Sequence, residues 1–319
     1  MTETYIAPFM FSEDLNFVGA HSFSNGSIHM LINKSGYIII LDDILIKQIT
    51  SKNISDDLCL KLIQRKFVCI KDEVIEESVP EIKPTLFMID LTDKCNMSCL
   101  YCLRNCNSSD AERIISSEKI HEICDYIVKY CKNYNLDSIL VQPWGGEPLL
   151  EKNKIFLIQD FLMQAGIRAD ITIETNGTLL THELVKELWN RHIYVSVSID
   201  GYESVHDSQR VFNSGRKTHN IVENSIRLLQ KYYDDNVSVI ATMTRNSIPY
   251  IEQIIKYFAE ELHLKKIKIN FVHKSSFSDN NDLCLEPEEI RVCTRSIFNT
   301  IINLHKQGIH IFESDSPFS

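Results

Sequence analysis

The sequence predicts an α/β protein built on a parallel sheet, preceded by a small α+β domain. From about residue 85 to residue 306, short apolar runs alternate strictly with amphipathic helical patterns. Such alternation implies parallel strands joined by right-handed crossovers. Before about residue 80 the order changes to paired β-branched runs followed by short helices.

Taken in order, Ile28 to Ile32 and Tyr37 to Leu41 read as a hairpin across the turn Asn33-Lys-Ser-Gly36. Helical spacing follows at Ile44 to Thr50 and Asp56 to Lys66, then a short strand at Phe67 to Lys71. Glu73 to Pro84, rich in Glu and Pro, reads as a linker. The strands beyond it are predicted at Thr85 to Asp90, Ser138 to Gln142, Asp170 to Ile173, Tyr194 to Ile199, Val237 to Thr242 and Ile267 to Phe271. Helices are predicted at Ser117 to Tyr134, Asn153 to Ala165, His182 to Arg191, Asn220 to Tyr233, Ile248 to Leu262 and Pro287 to Lys306. The domain boundaries read as 1–80, 81–310 and a polar tail over 311–319.

The chain has 319 residues, 44% of them hydrophobic, enough for a packed core in one large or two ordinary domains. A net charge of −10 disfavours nucleic acid or an anionic membrane as a main partner, because both call for basic patches. No apolar run reaches the length of a membrane span, and Met1-Thr-Glu-Thr-Tyr5 lacks the basic start and apolar stretch of a signal peptide. The expected location is the cytoplasm, with reduced thiols.

Cys95-Asn-Met-Ser-Cys99-Leu-Tyr-Cys102 places three cysteines at C-x3-C-x2-C spacing just after an apolar run. Three thiolates can hold three irons of a [4Fe–4S] cubane, which usually takes four cysteines, and the fourth iron is left open for another ligand. Structural zinc would want four protein ligands, and no second C-x2-C pair follows. Of the other cysteines, Cys124 and Cys131 share helical spacing with Ile120, Ile127 and Val128 and read as small core residues. Cys59 and Cys69 read the same way. Cys106 reads as a loop cysteine or a spare thiol near the cluster, and Cys284 with Cys293 do not amount to a second cluster.

The triad, with an aromatic residue before its last cysteine, resembles that of the radical S-adenosylmethionine (radical SAM) superfamily. Three further stretches extend the resemblance, which runs from about Thr85 to Phe271: Trp144-Gly-Gly-Glu-Pro148 is similar to its GGE(P) element, Glu174-Thr-Asn-Gly-Thr-Leu179 to its TNGT segment, and Ser198-Ile-Asp-Gly201 with His206, Asp207 and Arg210 to its S-x-D-G…H-D-x-x-R stretch. The resemblance implies a partial (β/α)6, TIM-like barrel with its chemistry at the C-terminal strand ends, where every motif named here falls. It implies a [4Fe–4S] cluster held by Cys95, Cys99 and Cys102, and S-adenosylmethionine chelated by the open iron and cleaved to a 5′-deoxyadenosyl radical.

Other roles carried over are cofactor contacts at Tyr101, Gly145, Gly146, Glu147, Asn176, Ser198 and Arg210. Tyr101 would lie beside the adenine, mostly through its backbone. Gly145 and Gly146 would permit close backbone approach, Glu147 would accept from the cofactor's ammonium group, and Ser198 and Arg210 would meet its ribose or carboxylate. Asn176 also carries an ordinary Asn-Gly turn signal. Asp200, at the end of the fourth strand, is read either as acceptor of a substrate proton or as part of an Asp-Gly turn. Trp144 stands where relatives have smaller or polar residues. His206 and His273 read as packing or surface residues.

The motif set resembles the branch that modifies peptides and proteins, whose members carry a C-terminal SPASM or twitch extension; here the sequence stops at Ser319 and that extension is expected to be missing. The layout before residue 80 resembles a winged-helix RiPP recognition element. Together these imply a maturase that crosslinks a ribosomally made precursor peptide through a thioether or C–C bond, its N-terminal domain gripping the leader and a flavodoxin or ferredoxin supplying electrons. The alternatives are a sulfatase-type formylglycine maturase and a catalytically incomplete peptide-binding protein.

Overall fold

A computed structural model describes residues 2–10, 15–25, 27–33, 38–70, 83–104, 113–272 and 281–313. Most of the expected linker, Cys106 and His273 lie outside the described residues. The chain divides into two compact units, Met1–Ile82 and Lys83–Ser319.

In the first unit the strands are Thr2–Ile6 (β1), Phe9–Met10 (β2), Leu15–Phe17 (β3), Ala20–Asn25 (β4), Ile28–Ile32 (β5), Ile38–Asp42 (β6) and Val68–Ile70 (β7), with helices Asp43–Thr50 (α1) and Asp56–Gln64 (α2). The expected hairpin is β5–β6, but it is half of a four-stranded antiparallel sheet ordered β1-β4-β5-β6; β2, β3 and β7 form another, three-stranded sheet. Ala20-His-Ser-Phe-Ser-Asn25 has no apolar alternation, so β4 left no period-2 signal in the sequence. Asp42 caps α1 by accepting from the backbone N–H groups of Ile44 and Leu45. Phe17, Leu31, Ile49, Leu58, Leu62 and Phe67 form the core of this unit.

The second unit runs Leu86–Thr92 (β8), Met97–Cys99 (β9), Ser117–Tyr134 (α3), Ser138–Gly145 (β10), Lys152–Gln164 (α4), Arg168–Thr175 (β11), His182–Asn190 (α5), Tyr194–Ser198 (β12), Glu203–His206 (α6), Arg210–Phe212 (β13), His219–Tyr233 (α7), Ser238–Met243 (β14), Ile251–Lys256 (α8), Lys266–Phe271 (β15), Pro287–Lys306 (α9) and Phe312–Glu313 (β16). Its sheet is ordered β8-β10-β11-β12-β14-β15-β16, every pair parallel. The expected strands are all present. Phe312–Glu313, expected as tail, instead pairs with Lys266 and Ile267 as a seventh strand. A run of two residues carries no periodicity by which to recognise it.

The helix expected over Ile248 to Leu262 is broken into a 3-10 turn (Arg245–Tyr250), α8, and a π-turn (Tyr257–Glu261). Pro249 sits in the 3-10 turn ahead of α8, where its missing N–H removes no hydrogen bond from the α-helix.

Period-2 alternation sorts each strand into two faces. Ile89, Leu91, Ile139, Val141, Ile171, Ile173, Val195, Val197, Val239 and Ile267 are buried in one cluster with helix residues such as Ile120, Leu162, Leu188, Leu229 and Ile255. Residues of the opposite register face the other way: Leu86, Met88, Leu140 and Tyr194 are 46, 52, 39 and 54% exposed. The helices therefore cover one face, and the other carries these exposed side chains. Cys124 and Cys131 are fully buried, as expected of small core residues. No helix among the described residues is long and apolar enough to cross a membrane.

At the end of β10 the register against β8 shifts between Trp144 and Gly145. The bulge brings Gly145 and Gly146 onto the backbone leaving β8. A Cβ on Gly145, which has φ +151°, would overlap the Thr92 carbonyl oxygen; one on Gly146 would overlap that of Lys94. Gly146→Ala is thus expected to destabilise the apo protein by about 2–3 kcal/mol. Gly166→Ala, at φ +80° with nothing near its Cβ, should cost about 1 kcal/mol, the backbone strain alone. Urea unfolding of both variants measures the difference; equal losses would contradict the overlap.

Candidate functional site

The cysteine loop leaves β8 at Thr92 and is held by backbone hydrogen bonds from two sides. Gly146 N–H donates to Thr92 O (2.8 Å) and Glu147 N–H to Lys94 O (2.9 Å). On the other side β9 pairs antiparallel with β13, setting Cys99 opposite Arg210 and Met97 opposite Phe212. Leu100 N–H extends the ladder to Gln209 O (2.9 Å), and Asn213 Nδ2 donates to Cys95 O (3.0 Å). This ribbon was not anticipated: three-residue strands in a motif loop give no periodic signal.

The loop and the strand ends enclose a cavity of about 440 Å³. Cys95, Cys99, Tyr101, Cys102, Gly145, Gly146, Glu147, Asn176, Ser198 and Arg210 all line it, and so do Trp144, Glu174, Thr242 and Asn270. Ten of the eleven residues singled out from the sequence thus meet in one place. Asp200 is the exception.

Asp200 is fully buried and does not line the cavity, which favours the structural one of its two readings over that of substrate-proton acceptor. Its Oδ2 accepts from the Tyr101 hydroxyl (2.7 Å) and Gln209 Nε2 (3.0 Å), and its Oδ1 from Thr242 N–H (3.0 Å). Burial pushes its carboxyl above the usual range, against the pull of Arg210 and these hydrogen bonds. Asp200 is an anchor. It seats the Tyr101 ring, whose oxygen in turn accepts from Arg210 Nη1 (2.6 Å). The Tyr101 side chain, expected to matter little, thus ties the cysteine loop to β12 and β13. Burial lifts its phenol well above the ordinary value and keeps the proton in place.

The rest of the H-D-x-x-R stretch holds Arg210. His206 Nδ1 accepts from Asp200 N–H (3.2 Å), which leaves its proton on Nε2 to be donated to Thr218 Oγ1 (3.0 Å). Thr218 Oγ1 donates to Arg210 O (2.8 Å). Burial holds His206 well below the usual imidazole range, so it stays neutral. Asp207 Oδ1 accepts from the backbone N–H groups of Thr218 and His219, capping α7.

Glu147 is 1% exposed. Its Oε1 accepts from Leu149 N–H (3.0 Å) and Thr175 Oγ1 (2.7 Å), its Oε2 from Asn176 N–H (2.8 Å). A carboxylate offers about four lone-pair sites, so one remains to face the cavity. Burial raises this carboxyl above its usual range, and the three donors partly offset the rise. Thr175 and Gln209 escaped the sequence reading; only their places beside Asn176 and Arg210 pointed to them. Cys284, read as isolated, packs against Tyr101 with Cys99 at the edge of the site.

The residues fit a cluster with a ligand on its open iron. Among the described residues no three His, Cys, Asp or Glu side chains converge on a single metal ion, whereas a cubane offers each thiolate its own iron. Burial pushes the Cys95 thiol up to about 11 and raises that of Cys99, so the thiolate state needs a bound cation to hold it. Arg210 lines the cavity with a buried Nε–H that has no partner. An orphaned guanidinium donor calls for an anionic or hydroxyl ligand.

Residues 89–258 match the model of the radical SAM superfamily, and the chain belongs to that family. Its members are redox enzymes that use a [4Fe–4S] cluster and S-adenosylmethionine. A cysteine-type anaerobic sulfatase-maturating enzyme of Clostridium perfringens is 27% identical over 173 residues, 52% of this chain and 46% of that protein. The structure of anSMEcpe with bound AdoMet and the Cp18Cys peptide superposes with a TM-score of 0.63 at 20% identity, over 72% of this chain and 62% of that one. Streptococcus suis SuiB bound to precursor peptide SuiA gives 0.54 at 15% identity, over 91% and 71%. At these identities the two structures share the fold. The chain spans about half the length of the curated relatives it matches.

Removing the Asp200 anchor takes away the carboxylate beside Arg210 and the acceptor of the Tyr101 hydroxyl proton. Asp200→Ala is expected to cost about 3 kcal/mol in urea unfolding of the cluster-free protein, and Asp200→Asn, which keeps the shape, about 1–2 kcal/mol. Unchanged stability in both would restore the proton-acceptor reading.

Proposed function

We propose that the protein is a radical SAM peptide maturase that takes a hydrogen atom from a ribosomally made precursor peptide and forms a thioether or C–C crosslink, the second hydrogen leaving as a proton and its electron passing to an oxidised one-electron carrier. The observation that carries the reading is the meeting of three cysteines, a buried carboxylate with one free lone pair and an unpartnered guanidinium N–H in one cavity. Cys95, Cys99 and Cys102 would hold the cluster. Bound together, cluster and S-adenosylmethionine supply a one-electron cleavage of the S–C5′ bond, giving a 5′-deoxyadenosyl radical.

This chain's residues bind and orient. Glu147 turns its spare lone pair toward an ammonium group, and Arg210, held by Tyr101 and Thr218, offers Nε–H to a carboxylate or ribose hydroxyl. Ser198 adds a hydroxyl at the same rim. Trp144, Glu174 and Asn270, which line the cavity from β10, β11 and β15, would meet the substrate. The first unit, with β1 and β6 as sheet edges, would grip the leader as a recognition element, and a flavodoxin or ferredoxin would deliver the electron. The peptides bound to anSMEcpe and to SuiB support a peptide substrate.

A second reading is favoured by the sequence likeness to the sulfatase-maturating enzyme: oxidation of a cysteine or serine side chain in a sulfatase. Anaerobic reconstitution with iron and sulfide, followed by dithionite and S-adenosylmethionine, tests the core. 5′-Deoxyadenosine is expected from the parent and not from the variant with Cys95, Cys99 and Cys102 replaced by alanine. Parent and variant alike silent, with a full cluster in the parent, would sink the enzyme reading. Incubation with candidate precursor peptides and with a cysteine-containing sulfatase peptide separates the two substrates: a mass loss of two hydrogens with a crosslink favours the first, formylglycine the second.

A further inference from the structure

Asn176 does more than close the Asn-Gly turn after β11. Its side-chain amide lies in a ring of hydrogen bonds: Asn176 Nδ2 donates to Asn96 Oδ1 (2.8 Å), Asn96 Nδ2 to Thr178 Oγ1 (2.8 Å), and Thr178 Oγ1 to Asn176 Oδ1 (2.7 Å). Thr178 N–H also donates to Asn176 Oδ1 (2.9 Å). A backbone N–H can only donate, so the oxygen of Asn176 must face Thr178 and the NH2 must face the cysteine loop; the amide cannot be flipped. Two hydrogens sit on that nitrogen. One goes to Asn96, and the other reaches Cys95 Sγ at 3.8 Å. The same sulfur accepts from Met97 N–H at 3.5 Å.

Nothing in this arrangement is loose. Asn176 is 6% exposed, its backbone N–H is held by Glu147 Oε2 (2.8 Å), and Gly177, at φ +77°, packs so that a Cβ would strike Val197. The amide is thus fixed by β10 through Glu147, by its own strand end through Thr178, and by the cysteine loop through Asn96. A donor so locked acts on the sulfur whichever state the cluster is in. Hydrogen bonds to ligand sulfurs withdraw charge from the cluster and stabilise its reduced, more negative form more than its oxidised form.

Resting on the cluster reading above, we propose that Asn176 is a positioning residue which, through its amide N–H to Cys95 Sγ, raises the reduction potential of the [4Fe–4S] cluster and thereby eases the electron's entry. Asn96 and Thr178 serve it by fixing the direction of that N–H.

The test uses the full chain, reconstituted anaerobically with iron and sulfide, beside Asn176→Leu and Asn176→Asp. Both variants lack the N–H; one is neutral and one negatively charged. Iron and sulfide are counted first, then the midpoint potential is read by EPR-monitored titration at one pH. Both variants, with four irons bound, should show a potential more negative than the parent. An unmoved potential in Asn176→Leu overturns the proposal, including the case in which only Asn176→Asp moves, since that shift would come from charge alone. The parent supplies a second readout independent of whether the variants assemble. With asparagine labelled by 15N in the side chain, the reduced cluster should show a weak 15N hyperfine coupling, and its absence overturns the proposal. A parent that binds no four-iron cluster removes the cluster reading itself, which the iron count reveals before any potential is measured.

Discussion

Everything at this site depends on how one loop is tied down. The segment from Asp93 to Cys102 has no regular structure beyond three residues of strand, yet it must present three sulfurs at fixed positions. Backbone hydrogen bonds hold it: Gly146 and Glu147 reach it from the end of β10, and β13 pairs along β9. Gly145 and Gly146 are needed because a Cβ at either would collide with the loop's carbonyl oxygens. The glycines of the GGE element therefore act first on the protein's own backbone, letting two strand ends approach within hydrogen-bonding distance.

A second layer of constraint is electrostatic. The carboxyls of Asp200 and Glu147 and the guanidinium of Arg210 lie almost out of contact with water. Buried charge is costly unless hydrogen bonds satisfy it. Asp200 and Glu147 each accept three hydrogen bonds, and neutral His206 supports Arg210 through Thr218. The exception among these groups is Arg210 Nε, buried without a partner in a residue that lines the cavity. Charged groups held in place this way are preorganised: little rearrangement of them is left for binding to accomplish.

The motif residues divide along the same line. Those on the rim, such as Glu147, Ser198 and Arg210, reach the cavity. Others hold them there: Asp200 seats Tyr101, His206 steadies Thr218, Asp207 caps α7. Residue type could not tell the two groups apart, since Asp200 and Glu147 are both carboxylates at strand ends.

The order of strands and helices, the parallel sheet and the gathering of the motifs at one end were legible in the sequence, because period-2 runs alternating with period-3.6 patterns are local signals and a crossover between parallel strands has one favoured hand. Cysteine spacing likewise announced a three-thiolate site. Local signals fail where a contact joins distant segments. The β9–β13 ribbon links residues more than a hundred positions apart, β4 and β16 owe their existence to a neighbouring strand rather than to their own composition, and only burial by the surrounding strand ends turned Asp200 from a possible acid–base group into an anchor. So the sequence by itself determined the fold class and the candidate ligand set. Tertiary structure alone decided which polar groups face the cavity and where the spare N–H groups point, because desolvation and hydrogen-bond direction depend on neighbours that only folding brings together.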